Sequence, residues 1–261
     1  MNNFETILFE KQGASAKITL NRPDAANGMN TRMAAELKRA AQLCDTDPEL
    51  KVVVLTATGR FFSAGGDIKE FAAMGDEIGR GIKSLADDIH SAISTFCRMP
   101  AALIIAVNGI AAGAGFSLAL AGDIVLAGES ASFTLAYTRA GLSPDGSSSY
   151  FLPRLIGLRR AQELMLTNNT LSAGEAFELG LITRAVSDDE LQQQAAKFAA
   201  DLAVSARNSI ASVKKLLLCS FDNSLETQME LEGRYVSQCA VSADGREGIQ
   251  AFIDKRKPAF R

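Results

Sequence analysis

The sequence predicts an α/β fold, with parallel strands alternating with helices and a helical C-terminal region after them. Three observations carry this. Residues 51–57 (KVVVLTA), 103–107 (LIIAV) and 123–127 (DIVLA) are nearly continuous apolar runs, as expected of strands covered on both faces. Each adjoins a Gly-rich turn and a helical pattern, the usual wiring of parallel strands with helical crossovers. From about residue 158 helical segments follow one another with little interruption.

Taken in order, 7–9 and 16–20 read as two strands around a turn at Gln12-Gly13. A helix over about 31–44 puts Met33, Leu37, Ala40, Ala41 and Cys44 on one face. A helix over 82–96 carries the stripe Ile82, Leu85, Ile89, Ile93 and Phe96, with His90 at its edge. Ser143-Pro144-Asp145 reads as N-cap, N1 and N2 of another helix, where Pro and an acid are both favoured. The later helices are expected over 158–166, 172–180, 188–204, 207–219, 224–240 and 246–256, with a last short strand within 180–186. Ser172 and Glu175 have capping-box spacing. No internal repeat is visible. The expected organisation is a core over 1–200 and a helical region over 201–261, whose Met229, Leu231, Tyr235, Ile249, Phe252 and Ile253 offer apolar surface to the core or to another subunit.

Bulk properties narrow the function. Charged residues make up 22% and the net charge is −3 without a long basic run, which argues against nucleic acid as the main partner. The four Cys (44, 97, 219, 239) form no CxxC pair, so neither a zinc site nor a disulfide framework is expected and a reduced, cytoplasmic setting fits. The opening MNNFETILFE lacks the basic and apolar regions of a signal peptide. The apolar run around 99–122 is broken by Asn108 and several Gly, so no membrane span is expected. With His90 the one histidine, a two-histidine mechanism is excluded.

Chemistry is expected where small residues follow buried strands, at 60–67 (RFFSAGGD) and 108–115 (NGIAAGAG). Ligands of open α/β sheets bind beyond the carboxyl ends of strands, and helix N-termini offer unpaired N–H groups to developing negative charge. Two such loops meeting would supply two backbone donors to one carbonyl oxygen. A tight turn is the ordinary reading of either loop alone. Neither has P-loop or GxGxxG spacing.

At this point the chain resembles the crotonase, or enoyl-CoA hydratase/isomerase, family. The resemblance rests on NRPDAANGMN (21–30), FFSAGGDIKEF (61–71), AVNGIAAGAGFSLALAGDI (106–124), ASFTLAYTRAGLSPDGSSSYFLPRLIG (131–157), LSAGEAFELGLITRAV (171–186) and REGIQAFIDKRKP (246–258). It implies a spiral of ββα units with a helical C-terminal trimerisation region, assembling as a homotrimer or as a hexamer of paired trimers. It also implies an acyl-CoA thioester substrate, with coenzyme A as carrier and no resident cofactor or metal. By position, the oxyanion-hole donors are Gly66 and Ala114. Coenzyme A would run along Arg22, Ala26, Ala64, Asp67, Ile68 and Lys69, with Lys255 or Lys257 as a further phosphate contact. The acyl pocket would involve Phe62, Met74, His90, Phe116, Ser117, Tyr137 and Leu142.

The departures point to the reaction. The two hydratase glutamates of the family would fall at Ser117 and Tyr137, and a hydroxyl and a phenol are not general bases at neutral pH. Asp145 stands where the isomerase branch keeps its single acid, and is the expected catalytic residue. Phe116, Leu142 and Phe151 are expected to desolvate it, while a first-turn helix position would act in the opposite sense. The run SYFLPRLIGLRRAQELMLTNNTL also resembles the 4-chlorobenzoyl-CoA dehalogenase branch, in which an Asp matching Asp145 is a nucleophile and a His resembles His90. Against it, that branch's Trp is Tyr137 here, and its aromatic loop residue is Gly66. Double-bond isomerisation is the expected reaction. Dehalogenase-like or hydrolytic chemistry, hydration and a non-catalytic acyl-CoA binder remain as alternatives.

Overall fold

The computed structural model describes residues 4–261; Met1, Asn2 and Asn3, part of the stretch read for a leader, lie outside the described residues. The chain opens with a hairpin of β1 (Ile7–Gln12) and β2 (Ser15–Leu20), paired antiparallel from Ile7 opposite Leu20 to Gln12 opposite Ser15. Asn30 then starts α1 (Thr31–Thr46) by accepting the Met33 N–H on its side chain, and the five apolar residues expected on one face are all buried. Next come β3 (Val52–Ala57), β4 (Phe61–Ser63), α2 (Ile68–Ala73) and α3 (Ile78–Arg98). They are followed by β5 (Ala102–Val107), β6 (Ile110–Ala112), α4 (Ala114–Ala119), β7 (Ile124–Gly128) and β8 (Ser132–Thr134). After a loop come α5 (Ser148–Ile156), α6 (Leu158–Thr167), β9 (Leu171–Ser172), α7 (Ala173–Glu178) and β10 (Arg184–Val186). Four helices close the chain: α8 (Leu191–Ala203), α9 (Arg207–Cys219), α10 (Leu225–Val241) and α11 (Ala243–Ile253).

The strands form two mixed sheets, of order β1-β2-β3-β5-β7-β10 and β4-β6-β8-β9. Within the first, β2, β3, β5, β7 and β10 pair in parallel. In the second, β4, β6 and β8 are parallel and β9 runs antiparallel to β8. Each step from β3 to β4, β5 to β6 and β7 to β8 passes from the large sheet to the small one, so the chain winds as a spiral. The loops expected at 60–67 and 108–115 therefore each begin with a strand. Three residues are too few to show alternation, which is why these strands do not declare themselves in the sequence.

The long strands are apolar on both faces because both faces are covered. Val53, Leu55, Leu103 and Ile105 join the core with α1 and α3, while Val52, Val54, Ala102 and Ile104 pack against Leu191, Ala195 and Ala199 of α8. The Ser172–Glu175 capping box forms as expected. The last helix starts earlier than expected, at Ala243, because Ser242 caps it by accepting the Gly245 N–H.

Helix α9 is pinned to the core by one buried lysine. Lys214 Nζ donates to the carbonyls of Phe96 at 3.0 Å and Ala101 at 2.8 Å, and pairs with Asp123 Oδ2 at 2.7 Å. The same carboxylate oxygen accepts the Leu103 N–H at 2.7 Å. Burial pushes the Asp123 carboxyl above its usual pKa, against the pull of the ammonium. Among the described residues no helix is long and apolar enough to cross a membrane.

The register between the sheets depends on a close backbone approach. A Cβ on Gly115 would lie 2.5 Å from the Ser63 carbonyl oxygen, whereas one on Gly174 would meet nothing within 4 Å. Gly115→Ala is expected to lower unfolding free energy by about 1–3 kcal/mol through overpacking. Gly174→Ala, at an open helical position, is expected to be neutral or stabilising by ~0.5–1 kcal/mol. Urea unfolding midpoints of the two variants check this.

Candidate active site

The site is built where β4 and β6 end. They are parallel neighbours, so the turns that follow them lie side by side. The first passes through Ala64, Gly65 and Gly66; the second turns at Gly113 into α4. Gly65 has φ of 94° and Gly113 of 51°, conformations that L side chains rarely adopt. A Cβ on Gly65 would lie 2.9 Å from the Ala112 carbonyl oxygen and 3.3 Å from the Ala114 nitrogen. The turns are thus packed backbone on backbone.

Both expected donors sit on this contact. Gly66 forms a parallel bridge with Met29, but the bonds are made by its neighbours: Met29 N–H to the Gly65 carbonyl at 2.7 Å, and Asp67 N–H to the Met29 carbonyl at 3.0 Å. The Gly66 N–H itself therefore points away from Met29. Ala114 is the first residue of α4, where an N–H has no intrahelical acceptor.

The turn at 22–28 braces the first of these loops. The buried Asn27 donates to the carbonyls of Thr58 and Phe61, both at 2.8 Å, and accepts the Arg22 N–H at 2.7 Å. The Ala64 N–H donates to the Ala26 carbonyl at 2.9 Å. Arg22, expected to meet a phosphate, directs its guanidinium inward, to Asp67 Oδ2 at 2.9 Å and to the Gly28 carbonyl. Asp67 caps α2 through the Glu70 N–H. Burial raises its pKa, but the Arg22 and backbone hydrogen bonds outweigh this and the net shift is downward. Ala64, Ile68 and Lys69 are exposed beside this turn, as are Lys255 and Lys257 at the chain's end.

Asp145 does not start a helix. Residues 142–145 are irregular, Gly146 and Ser147 take left-handed φ of 60° and 69°, and α5 begins only at Ser148. The left-handed pair breaks the helix that Ser143-Pro144-Asp145 suggested, so Asp145 is not a first-turn residue of α5. Instead the Asp145 carbonyl accepts the Ser148 N–H at 3.2 Å and the Ser148 hydroxyl at 2.9 Å.

The carboxylate is held from the side. Tyr137 Oη donates to Asp145 Oδ1 at 2.6 Å, and Ser117 Oγ lies 2.9 Å from Tyr137 Oη. Burial first, and then the Asp145 charge, push the phenol's pKa far above its ordinary value, so it stays a donor. Its single proton goes to the carboxylate, which makes Ser117 the donor in the second contact. Ser117 is fully buried in α4, one turn after Ala114. The chain Ser117–Tyr137–Asp145 thus ties the acid to the helix that carries one of the expected oxyanion donors.

His90 is exposed at the edge of α3. Its Nε2 accepts the Gly146 N–H at 3.1 Å and lies 3.8 Å from Asp145 Oδ2. Accepting that bond assigns the ring proton to Nδ1. A cavity of about 570 Å³ opens beside Asp145, lined among others by His90, Ile93, Cys97, Tyr150 and Phe151. Phe151 and Asp145 both line this cavity. Phe62 and Phe116 do not: they are 0% and 1% exposed, and Phe116 packs on Phe133 at 5.6 Å, so both rings belong to the core. Met74 packs across Gly81, and Leu142 is exposed.

A model of the enoyl-CoA hydratase/isomerase family matches residues 10–261. The chain belongs to the enoyl-CoA hydratase/isomerase family. Over 99% of its length it is 39% identical to a probable enoyl-CoA hydratase of Rhodobacter capsulatus, 98% of which is covered. It is 36% identical to the 1,2-epoxyphenylacetyl-CoA isomerase of Escherichia coli, with 98% of each chain covered. The crystal structure of an enoyl-CoA hydratase from Polaromonas sp. JS666 superposes with a TM-score of 0.93 at 33% identity, covering 98% of this chain and 99% of that one. The two-sheet spiral with C-terminal helices is therefore the crotonase fold, and membership implies an acyl-CoA substrate. Hydratases and isomerases stand at similar identity, so the reaction is argued from the residues of the site.

Sequence reasoning had Ser117 and Tyr137 as acyl-pocket residues at the positions of missing glutamates and did not foresee their chain to Asp145, in which the Ser117–Tyr137 contact crosses 20 residues of chain and the Tyr137–Asp145 bond 8. No spacing pattern signals such contacts. Tyr150, on the cavity wall, was also missed.

The Arg22–Asp67 pair gives a pH signature. Because the folded pKa of Asp67 is depressed, its stabilisation is present above the unfolded value of ~3.9 and is lost as pH falls through the folded value below it. Asp67→Asn keeps the cap and removes the charge. It is expected to be less stable than the wild type at pH 6, with the difference shrinking below about pH 4, as measured by urea unfolding at each pH.

Proposed function

We propose that this crotonase is an enoyl-CoA isomerase with Asp145 as its proton shuttle. The observation that carries the reading is the Ser117–Tyr137–Asp145 hydrogen-bond chain. It engages one carboxylate oxygen, Oδ1, and leaves Oδ2 as the atom to exchange a proton. In the forward step Oδ2 takes a proton from C2 of a 3-enoyl thioester. The C–H electron pair moves into the conjugated system and onto the thioester oxygen, giving a dienolate. The Gly66 and Ala114 N–H groups would hold that oxygen; removing one such donor typically costs ~3 kcal/mol of transition-state stabilisation. The same proton is returned at C4, the double bond lies between C2 and C3, and no water is consumed.

Hydration needs water to be activated and a second proton to be delivered. The positions matching the hydratase glutamates hold a serine and a phenol, neither of which is a base at neutral pH. That supports isomerisation over hydration. Ala64, Ile68 and Lys69, with Ala26 behind them, are the proposed path of coenzyme A. Arg22 and Asp67 shape that path by bracing the turn.

A second reading rests on His90, whose Nε2 lies 3.8 Å from Asp145 Oδ2. If Asp145 were a nucleophile, its Oδ2 would displace halide from the ring of a halogenated aryl-CoA to give an aryl ester, and a water deprotonated by His90 Nε2, once freed from the Gly146 N–H, would hydrolyse that ester. That reading requires added mass on Asp145 after rapid quenching, persisting in His90→Gln.

We also propose assembly as trimers, or as hexamers of paired trimers. The support is the apolar surface of the C-terminal helices: no residue of α10 is buried, and Val236, Val241 and Phe252 are 66–85% exposed. Light scattering should give the mass of a trimer or hexamer, and Val236→Asp with Phe252→Asp should lower it. A monomeric wild type would refute the assembly.

For the reaction, 3-enoyl-CoA is supplied and the conjugated thioester is followed by its ultraviolet absorbance. Asp145→Asn is expected to lower kcat by ~10²–10⁴-fold. Tyr137→Phe, which removes the restraint on Oδ1, is expected to lower kcat on the order of 10- to 100-fold with a smaller change in KM. Equal slowness of wild type and Asp145→Asn, or faster hydration than isomerisation by the wild type, would end the isomerase reading.

A further inference from the structure

His90 stands outside the chain Ser117–Tyr137–Asp145, yet it holds the same loop. Its Nε2 accepts the N–H of Gly146 at 3.1 Å, which belongs to the peptide that joins Asp145 to Gly146. Gly146 and Ser147 both have left-handed φ, of 60° and 69°, an uncommon state for the serine. Gly146 is also enclosed from the side: a Cβ there would lie 2.8 Å from Ser117 Cβ and 3.6 Å from Ile93 Cδ1. The acid is therefore held at two points. Tyr137 fixes its Oδ1 at 2.6 Å, and His90, from α3, fixes the peptide that follows it.

The second hold depends on the charge of the ring. A neutral imidazole has one acceptor nitrogen, and an imidazolium has none. Protonation of His90 would set two N–H groups against each other. An acceptor for the new donor stands close by, Asp145 Oδ2 at 3.8 Å. The charged ring would thus release the Gly146 peptide and engage the oxygen that has to take the C2 proton.

Other ionisable groups around the ring are committed elsewhere. On α3, Asp87 pairs with Lys83, Asp88 with Lys38, and Arg98 donates to Ser94 Oγ at 2.8 Å. Across the cavity, Asp222 faces Arg154 at 3.6 Å, and the Tyr150 hydroxyl donates to the Leu218 carbonyl at 3.2 Å. Burial pushes the Cys97 thiol up to about 11 and the Tyr137 phenol well above its usual value, so neither changes charge near neutral pH. Asp145 is the carboxylate that a proton on His90 would address.

We propose that His90 is a positioning residue for Asp145. As a neutral acceptor it fixes the Asp145–Gly146 peptide so that Oδ2 is free to meet substrate, and its protonation switches the acid off. This rests on the isomerase reading for the step that is switched, whereas the state of the ring is read without any reaction.

His90 is the one histidine of the chain, so a single imidazole C2–H resonance follows its titration in the full-length protein, and ring nitrogen shifts report the tautomer. Above that titration the ring proton is expected on Nδ1. With 3-enoyl-CoA as substrate, wild-type kcat/KM is expected to fall about tenfold per pH unit on the acid side, with its midpoint at that of the histidine resonance. His90→Gln can accept the Gly146 N–H through its amide oxygen but does not titrate, and is expected to lose this limb. His90→Leu, at a half-exposed position, is expected to lower kcat ~10–100-fold at every pH with a smaller change in KM, and His90→Gln to recover most of that loss. An acid limb unchanged in His90→Gln belongs to Asp145 itself and overturns the switch. A ring proton on Nε2 overturns the proposal whatever the assay gives. So do equal losses in His90→Gln and His90→Leu, which would make the ring a proton carrier. If the wild type shows no isomerisation, an Nδ1–H tautomer whose titration moves the Gly146 amide resonance supports the positioning role while the isomerase reading falls.

Discussion

The molecule is organised around one contact, the backbone-on-backbone packing of the turns that follow β4 and β6. A Cβ on Gly65 would crowd the Ala112 carbonyl at 2.9 Å, and Gly113 holds the facing turn through a left-handed φ of 51°. In the proposed reading that proximity would bring the Gly66 and Ala114 N–H groups to one site, where fixed donors stabilise developing oxygen charge without reorganising. Much else braces it. Asn27 and Arg22 fix the turn that pairs with Gly65 and Gly66. The parallel pairing of β4 with β6 fixes the height of the two turns. Ser117, one turn down α4, links the second turn to Tyr137 and Asp145. A shift of either turn would disturb the donors and the acid together.

What was legible in the sequence follows from this organisation. The strands 52–57 and 102–107 announce themselves because helices cover both of their faces, so every residue but Thr56 is apolar. Gly65, Gly113 and Gly115 stand out because a Cβ on Gly65 or Gly115 would clash with backbone and Gly65 and Gly113 need a left-handed φ. The small sheet does not, because strands of three residues carry no period. Asp145 shows a subtler limit. Pro144 and Asp145 have the chemistry of a helix start, yet the left-handed Gly146 and Ser147 delay the helix to Ser148. Local preference and tertiary need disagreed there, as they often do at functional positions. Phe62 and Phe116, expected at the acyl pocket, lie inside the core, which takes large apolar side chains first.

The C-terminal region is held to the core unevenly. Lys214 reaches the carbonyl end of α3, the start of β5 and Asp123 at once, so α9 is fixed where it borders the cavity. A cation at a helix C-terminus is favourable, and the buried pair resists replacement of either member alone. Beyond it, α10 and α11 carry an apolar surface with little of the core against it. Rigid attachment beside the chemistry and open surface further out are thus features of one segment.

The sequence contains no tryptophan and three tyrosines, of which Tyr137 and Tyr150 flank Asp145 and its cavity while Tyr235 sits apart on α10. Ultraviolet-excited emission of this protein is therefore tyrosine emission, with two of its three sources at the site. A phenol bonded at 2.6 Å to a carboxylate has a ready route to lose its proton in the excited state and emits weakly. The restraint that orients the acid also makes the native protein optically sensitive at that point, with no label attached.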